Sequence, residues 1–256
     1  MPQGTGGSFS NVYEDRERAE TYATLQFPGT YYLAYRDLPE IIGQGSAGGA
    51  ALDFGCGAGR STQFLKELGF DPVGVDVSDE MVHRARAAHP EGDYRVIGED
   101  LDEFAAGSFR VVLAAFTFDN VPGLDRKTRL FRQLGALLAP QGRIVSVVST
   151  PEIYRNEWAS FSTLEFPENH LAQSGDQVRI VMKDVADSRP IEDIVCSDAD
   201  YRTVYAEAGL TLEGVHRPLG RRHEPFDWIA ETEVAPWAIY TLTADLEQSN
   251  GPVSGR

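Results

Sequence analysis

The chain has 256 residues, 42% of them hydrophobic and 24% charged, enough for one large domain or a domain with a cap. A net charge of −16 argues against a polyanionic partner such as DNA or RNA, although His216, Arg217, Arg221, Arg222 and His223 form one basic cluster. Two cysteines, Cys56 and Cys196, supply neither a zinc site nor a disulfide framework. The start lacks a signal-peptide core and no apolar run reaches bilayer length, so a soluble cytoplasmic protein is expected, with no membrane partner.

Residues 1–8 are glycine-rich. Asn11 to Ala23 is polar at helical spacing, with Val12, Tyr13, Ala19 and Tyr22 as its apolar face. Phe27, Tyr31, Tyr32, Leu33 and Tyr35 form an aromatic-rich stretch, Asp37 to Ile42 reads as a helical turn, and Gln44 to Gly49 as a hinge. Ala50 to Phe54 is an apolar run suited to a buried strand, followed by Gly55, Gly57 and Gly59 and an amphipathic helix, Arg60 to Leu68. A second strand, Asp71 to Val77, precedes Ser78, which can cap a helix from Asp79 to His89 with Met81, Val82 and Ala85 as its stripe. Asp93 to Ile97 and Phe109 to Phe116 read as the third and fourth strands. Arg126 to Leu138 reads as an amphipathic helix, Pro140-Gln141-Gly142 as a turn, and Gly142 to Val148 as the fifth strand.

From Thr150 to Ser197 the strand–helix alternation breaks. The stretch holds Tyr154, Trp158, Phe161, Phe166 and His170, then an alternating strand, Gln177 to Lys183, that Ile191 to Cys196 can pair with. It reads as an inserted lid or substrate wall. Asp198 to Ala208 is a helix closed by Gly209, and Leu210 to Val215 and Ala235 to Thr243 are the sixth and seventh strands.

The informative stretch is AALDFGCGAGRST, Ala50 to Thr62. A dinucleotide fingerprint would place its last glycine at the sixth motif position, which here is Arg60. Asp53, at the end of the first strand, would repel a pyrophosphate but suits a ligand carrying an ammonium and a sulfonium. Asp76 closes the second strand at about the ~20-residue spacing from which an acid grips a ribose diol. Asp53, the glycine turn and Asp76 together resemble the first two motifs of the class I S-adenosylmethionine-dependent methyltransferases, over about residues 48 to 150.

The resemblance implies an S-adenosylmethionine site made by Asp53, Gly55, Gly57, Asp76, Val77, Met81, Asp100, Leu101 and Phe116. Met81 would lie under the adenine ring or simply pack the core. Glu99 and Asp100 are both candidates to accept from the adenine amino group, and register favours Asp100, with the Leu101 N–H reaching a ring nitrogen. Backbone near Phe116 would meet the methionine half. Tyr13, Tyr22 and Trp158 are expected to wall the substrate pocket, though the cap aromatics can equally pack onto the core. Methyl transfer needs alignment and exclusion of water rather than a triad. If a base is used, Asp119 and His170 are favoured over His223 and Glu224. The Asp119-Asn120 pair follows the fourth strand, while the fifth ends in Ser149-Thr150-Pro151-Glu152. That is an incomplete set for a catechol-type magnesium site, and no metal is expected.

The expected fold is α/β: a Rossmann-like, doubly wound, mainly parallel seven-stranded sheet. Its parts are an N-terminal cap (residues 1–45), the S-adenosylmethionine-binding core (46–150), an inserted lid (151–197) and the rest of the sheet (198–248). The expected function is methylation of a small, aromatic or apolar metabolite, with a homodimer left open. The rivals are an enzyme that uses the sulfonium without transferring its methyl, as a pericyclase would, a nicotinamide oxidoreductase, and a non-catalytic cofactor-binding subunit.

Overall fold

The computed structural model describes residues 29–43, 49–98, 100–183, 185 and 189–244. Two short helices, α1 (Thr30–Arg36) and α2 (Leu38–Ile42), precede the alternating unit β1 (Ala50–Phe54), α3 (Arg60–Glu67), β2 (Asp71–Asp76), α4 (Asp79–Ala88) and β3 (Asp93–Val96). Then come β4 (Phe109–Ala115), α5 (Leu124–Ala136) and β5 (Leu138–Ser149). Strands β6 (Phe161–Ser162), β7 (Gln177–Met182) and β8 (Ile191–Ile194) follow, and α6 (Asp198–Glu207), β9 (Leu210–His216) and β10 (Trp237–Ala244) complete the chain.

The main sheet has seven strands in the order β3-β2-β1-β4-β5-β10-β9. Strands β1 to β5 pair in parallel, and β10 runs antiparallel to both β5 and β9. This is the Rossmann-like, mainly parallel seven-stranded arrangement expected, with β10 as the reversed strand. The central strands are apolar on both faces because both are covered. Leu52, Val112 and Ile144 pack under α5 and α6, while Ala51, Val111 and Val145 pack against α1, α2 and the smaller sheet.

Local chemistry explains most element ends. Ser78 caps α4 by accepting from the Met81 N–H at 3.3 Å, and Ser197 caps α6 by accepting from the Asp200 N–H at 3.2 Å. The turn expected at Pro140-Gln141-Gly142 is instead part of β5. The strand absorbs these residues as an irregularity opposite Phe109 and Val111, with Gln141 at φ 63°.

The alternating run after residue 176 pairs as expected: β7 is antiparallel to β8 and also carries β6, making a three-stranded sheet. A buried carboxylate fastens this insertion to α1 and to the loop before β10. Glu231 accepts from the Thr30 hydroxyl at 2.6 Å, the Ala159 N–H at 2.7 Å and the Ile229 N–H at 2.8 Å. Among the described residues no helix is long and apolar enough to cross a membrane.

Candidate active site

The C-terminal ends of the parallel strands open onto a cavity of about 250 Å³, where an open α/β sheet places its ligands. The glycine turn forms one wall. Gly55 lies at φ 77° and donates to the Val75 carbonyl at 2.8 Å; a Cβ there would stand 2.3 Å from Thr117 Oγ1. Thr117 in turn donates its hydroxyl to the Phe54 carbonyl at 2.7 Å, so the turn after β4 is pinned to the end of β1. Gly57, at φ 51°, has nothing within 4 Å of where its Cβ would be, because the cavity lies there.

Asp76 stands opposite. One carboxylate oxygen accepts the Gly57 N–H at 2.9 Å and the other accepts the Ser78 N–H at 2.9 Å. Burial pushes its pKa up, while backbone N–H groups at residues 78, 57 and 77 pull it down. A carboxylate has about four lone-pair sites, so acceptor capacity remains at the cavity wall for the two hydroxyls of a ribose. Val77, Met81 and Ile97 make an apolar slot beside it, and Met81 is buried. The arrangement fits an adenosine: a diol acceptor, a flat apolar slot, and a strip of backbone that approaches without Cβ. Cys56 also lines the cavity, but burial and the charges of Asp53 and Asp76 hold its thiol well above the ordinary range, so it stays protonated.

Asp53 has a different task from the one expected. It is fully buried and does not line the cavity. One of its oxygens accepts from the hydroxyls of Ser61 at 2.7 Å and Thr62 at 2.6 Å, tying the first turn of α3 to β1. Its other oxygen, Oδ1, is buried with no hydrogen-bond partner. Burial raises this carboxyl to about 6 against the pull of the two hydroxyls. Asp53 thus holds the first turn of α3, just after the glycine turn, against β1.

Asp100 and Leu101 also depart from expectation. Asp100 is exposed and accepts from Gln133 Nε2 at 3.3 Å; Leu101 is buried in the core, and neither lines the cavity. The loop after β3 lays Ile97 and Gly98 on the cavity and turns the next described side chains away; Glu99 is outside the described residues.

Phe116, at the end of β4, holds φ 62°, a left-handed conformation uncommon for a residue with a side chain. It walls both the large cavity and a second, smaller one, and Asn120 does the same. The second cavity is lined by Tyr31, Phe161 and Trp237 together with Asp119 and Asp193.

Asp119 ends a 3-10 turn, Thr117–Asp119, and accepts the Ser149 N–H at 3.1 Å and the Ser149 hydroxyl at 2.8 Å. Burial lifts it to about 6, against those bonds and the charge of Lys127. Lys127 is itself buried, donates to the Phe118 carbonyl and has its pKa lowered by burial. Asp193 accepts from the Tyr154 hydroxyl at 3.1 Å.

Two further expectations are corrected. His170 is exposed on the 3-10 turn Pro167–Leu171 and lines neither cavity; its neighbour Asn169 is the buried member, holding the Arg179 carbonyl at 2.8 Å. Trp158 is fully buried and donates its indole N–H to the Ile153 carbonyl at 2.7 Å, so it packs the insertion rather than walling a pocket. Tyr13 and Tyr22 lie outside the described residues. Sequence reasoning missed Asp193, Ser149 and Trp237 as lining groups, while Phe161 belongs to the stretch read as a lid or substrate wall. Asp193 was the detectable one: it shares the inward face of β8 with Ile191. Among the described residues no group of three or more His, Cys, Asp or Glu is placed to hold a metal ion.

A family described as a methyltransferase domain matches residues 29–180. Over 103 residues, 38% of the chain, the sequence is 35% identical to a ubiquinone biosynthesis O-methyltransferase from Xanthomonas axonopodis pv. citri (strain 306), 42% of which is covered. A protein of the same name from Nitrosococcus oceani is 35% identical over 115 residues, 42% of this chain and 48% of that one. The match thus spans less than half the length of these relatives. Among solved structures, Streptomyces venezuelae DesVI superposes with a TM-score of 0.61 at 16% identity, covering 89% of this chain and 98% of that one. The CcbJ methyltransferase from Streptomyces caelestis gives 0.60 at 21%, covering 88% and 95%. These structural likenesses speak to the fold alone. The matched family takes in the glycine turn, Asp76, the β4 turn and β5, and the chain belongs to the methyltransferase domain family.

Proposed function

We propose that the protein is an S-adenosylmethionine-dependent methyltransferase acting on a small, aromatic or apolar metabolite in the cytoplasm, as a monomer or homodimer. The observation that carries this reading is that the two cavities share Phe116 and Asn120. A ligand in the adenosine-shaped cavity and an acceptor in the aromatic one would therefore meet at one wall. S-Adenosylmethionine supplies an electrophilic methyl on a sulfonium.

The chain's own residues do the rest. Asp76 and the slot of Val77, Met81 and Ile97 would hold the nucleoside. Gly55 and Gly57 would let the backbone approach, and Asp53 would stiffen the turn. The rings of Tyr31, Phe116, Phe161 and Trp237 would exclude water from the acceptor. Asp119, oriented by Ser149, would take a proton from the nucleophile.

Incubation with a deuteriomethyl donor and a metabolite extract tests the reading. It expects a product three mass units heavier than its unlabelled counterpart, formed together with S-adenosylhomocysteine. Turnover that consumes a metabolite without releasing S-adenosylhomocysteine would replace methyl transfer with cofactor-assisted chemistry.

A further inference from the structure

The smaller cavity has a composition that narrows the acceptor. Four rings wall it, packed on one another: Tyr31 on Phe161 at 4.9 Å, Phe116 on Trp237 at 4.8 Å, and Tyr31 on Trp237 at 5.8 Å. Its two acids arrive from different elements, Asp119 from the turn after β4 and Asp193 from β8, and both are buried. Among the described residues no Lys, Arg or His lines it. Lys127, whose charge couples to both Asp119 and Asp193, donates its ammonium to the Phe118 carbonyl and stays outside the wall. The other titratable groups around Asp119 are the Tyr154 and Tyr201 phenols and the Cys196 thiol, which remain neutral because burial drives their pKa values up. The room is about 30 Å³, the size of a terminal group rather than of a whole metabolite.

We infer that this cavity receives the protonated amino group of the methyl acceptor, so that the substrate class is a small amine methylated on nitrogen. The inference rests on the methyl-transfer reading above and specifies its acceptor. Ring faces and carboxylates both attract a cation and repel an anion. A phenolate, carboxylate or phosphate would meet the two carboxyl groups, with Asn120 and Ser149 as the neutral polar residues of the wall.

The same pair of acids offsets repulsion between an ammonium and the sulfonium beside it. Asp119 then has a second use. It takes one proton from the ammonium, which leaves a lone pair on nitrogen. That pair forms the new N–C bond as the methyl–sulfur bond breaks toward sulfur, and the proton on Asp119 passes to solvent. Overall, ammonium and methyl donor become methylammonium, thioether and one proton. Burial, which holds the Asp119 carboxyl near 6, suits it to that transfer.

Calorimetry on the protein saturated with S-adenosylhomocysteine tests this with three matched probes: phenethylamine, phenethyl alcohol and 3-phenylpropionate. The amine is expected to bind at least tenfold more tightly than the alcohol, and the anion not to bind. Asp119→Asn and Asp193→Asn, each checked for an unchanged melting profile, should each erase most of the amine's advantage and leave the alcohol's affinity as it was. With tyramine and a deuteriomethyl donor, the label should appear on nitrogen and not on the phenol oxygen. Equal or tighter binding of the alcohol or the anion, no binding of any probe, label on oxygen, or an amine preference untouched in both variants would overturn the inference while leaving the methyl-transfer reading in place. Failure of S-adenosylhomocysteine itself to bind would instead remove the reading on which it rests.

Discussion

Asp53 on β1 and Thr62 on α3 are joined by a 2.6 Å hydrogen bond, and Ser61 adds a second to the same carboxylate oxygen. The partner oxygen is buried without a hydrogen bond, and the carboxyl is lifted to about 6. The folded pKa is above the unfolded one. The folded chain therefore binds more protons across pH ~4 to ~6, and stability falls as pH rises through that window. Asp119, also near 6, adds to the same slope. Asp53→Asn keeps an acceptor for both hydroxyls and removes the buried charge. It should raise the melting temperature of ligand-free protein at pH 7.5 by about 2–4 °C, the shift that ~1 kcal/mol produces in a chain of this size. It should also flatten the melting temperature's dependence on pH below 6, while weakening S-adenosylhomocysteine binding. Differential scanning calorimetry across pH 4 to 8 checks this.

The glycine turn separates folding from binding. Gly55→Ala sets a methyl against Thr117 and forces a left-handed backbone on alanine, which should cost about 1–3 kcal/mol of stability and abolish cofactor binding. Gly57→Ala also meets a positive φ, but its methyl would enter the open cavity. That variant should lose only about 1 kcal/mol of stability and still lose at least tenfold in affinity for S-adenosylhomocysteine. Melting curves and calorimetry on the two variants measure the contrast.

If Asp119 is the base, kcat/KM should rise with pH and level off above about 6, because the active form is the carboxylate. Asp119→Asn should lose that limb together with about 10²-fold or more of kcat. Lys127→Met withdraws a positive charge that lowers Asp119, so the acid limb should move to higher pH. A pH–rate profile on a turned-over amine reads all three.

Glu231 ties the start of α1, the insertion and the loop before β10 through three hydrogen bonds. Glu231→Ala removes the acceptor from buried donors and should cost about 1.5–3 kcal/mol or more. Hydrogen exchange should speed up first in α1 and at the entry to β6, which meet through Thr30 and Ser160, the residue before β6, at 3.0 and 3.1 Å.

The sheet was legible because its signals are local. The apolar strand before Gly55, the capping Ser78 and the alternation of β7 each follow from backbone geometry and burial within a few residues. Asp76, Val77 and Met81 reached the cavity for the same reason: they sit at fixed distances from a strand end. His170 and Trp158 were misplaced because a loop's path depends on what it packs against, and periodicity does not encode that. Asp53 was placed correctly on its strand, but its inward direction came from hydroxyls on the following helix. The turn at Pro140 became part of a strand because pairing of Phe109 with Leu138 outweighed local turn chemistry.

Titration of the protein with S-adenosylhomocysteine in a calorimeter, alongside the Asp76→Ala variant, tests the central claim most directly. The account predicts saturable binding at one site per chain, weakened at least tenfold in the variant, whose backbone N–H groups at Gly57 and Ser78 lose their acceptor. No heat with the parent, or equal affinity in parent and variant, would contradict it.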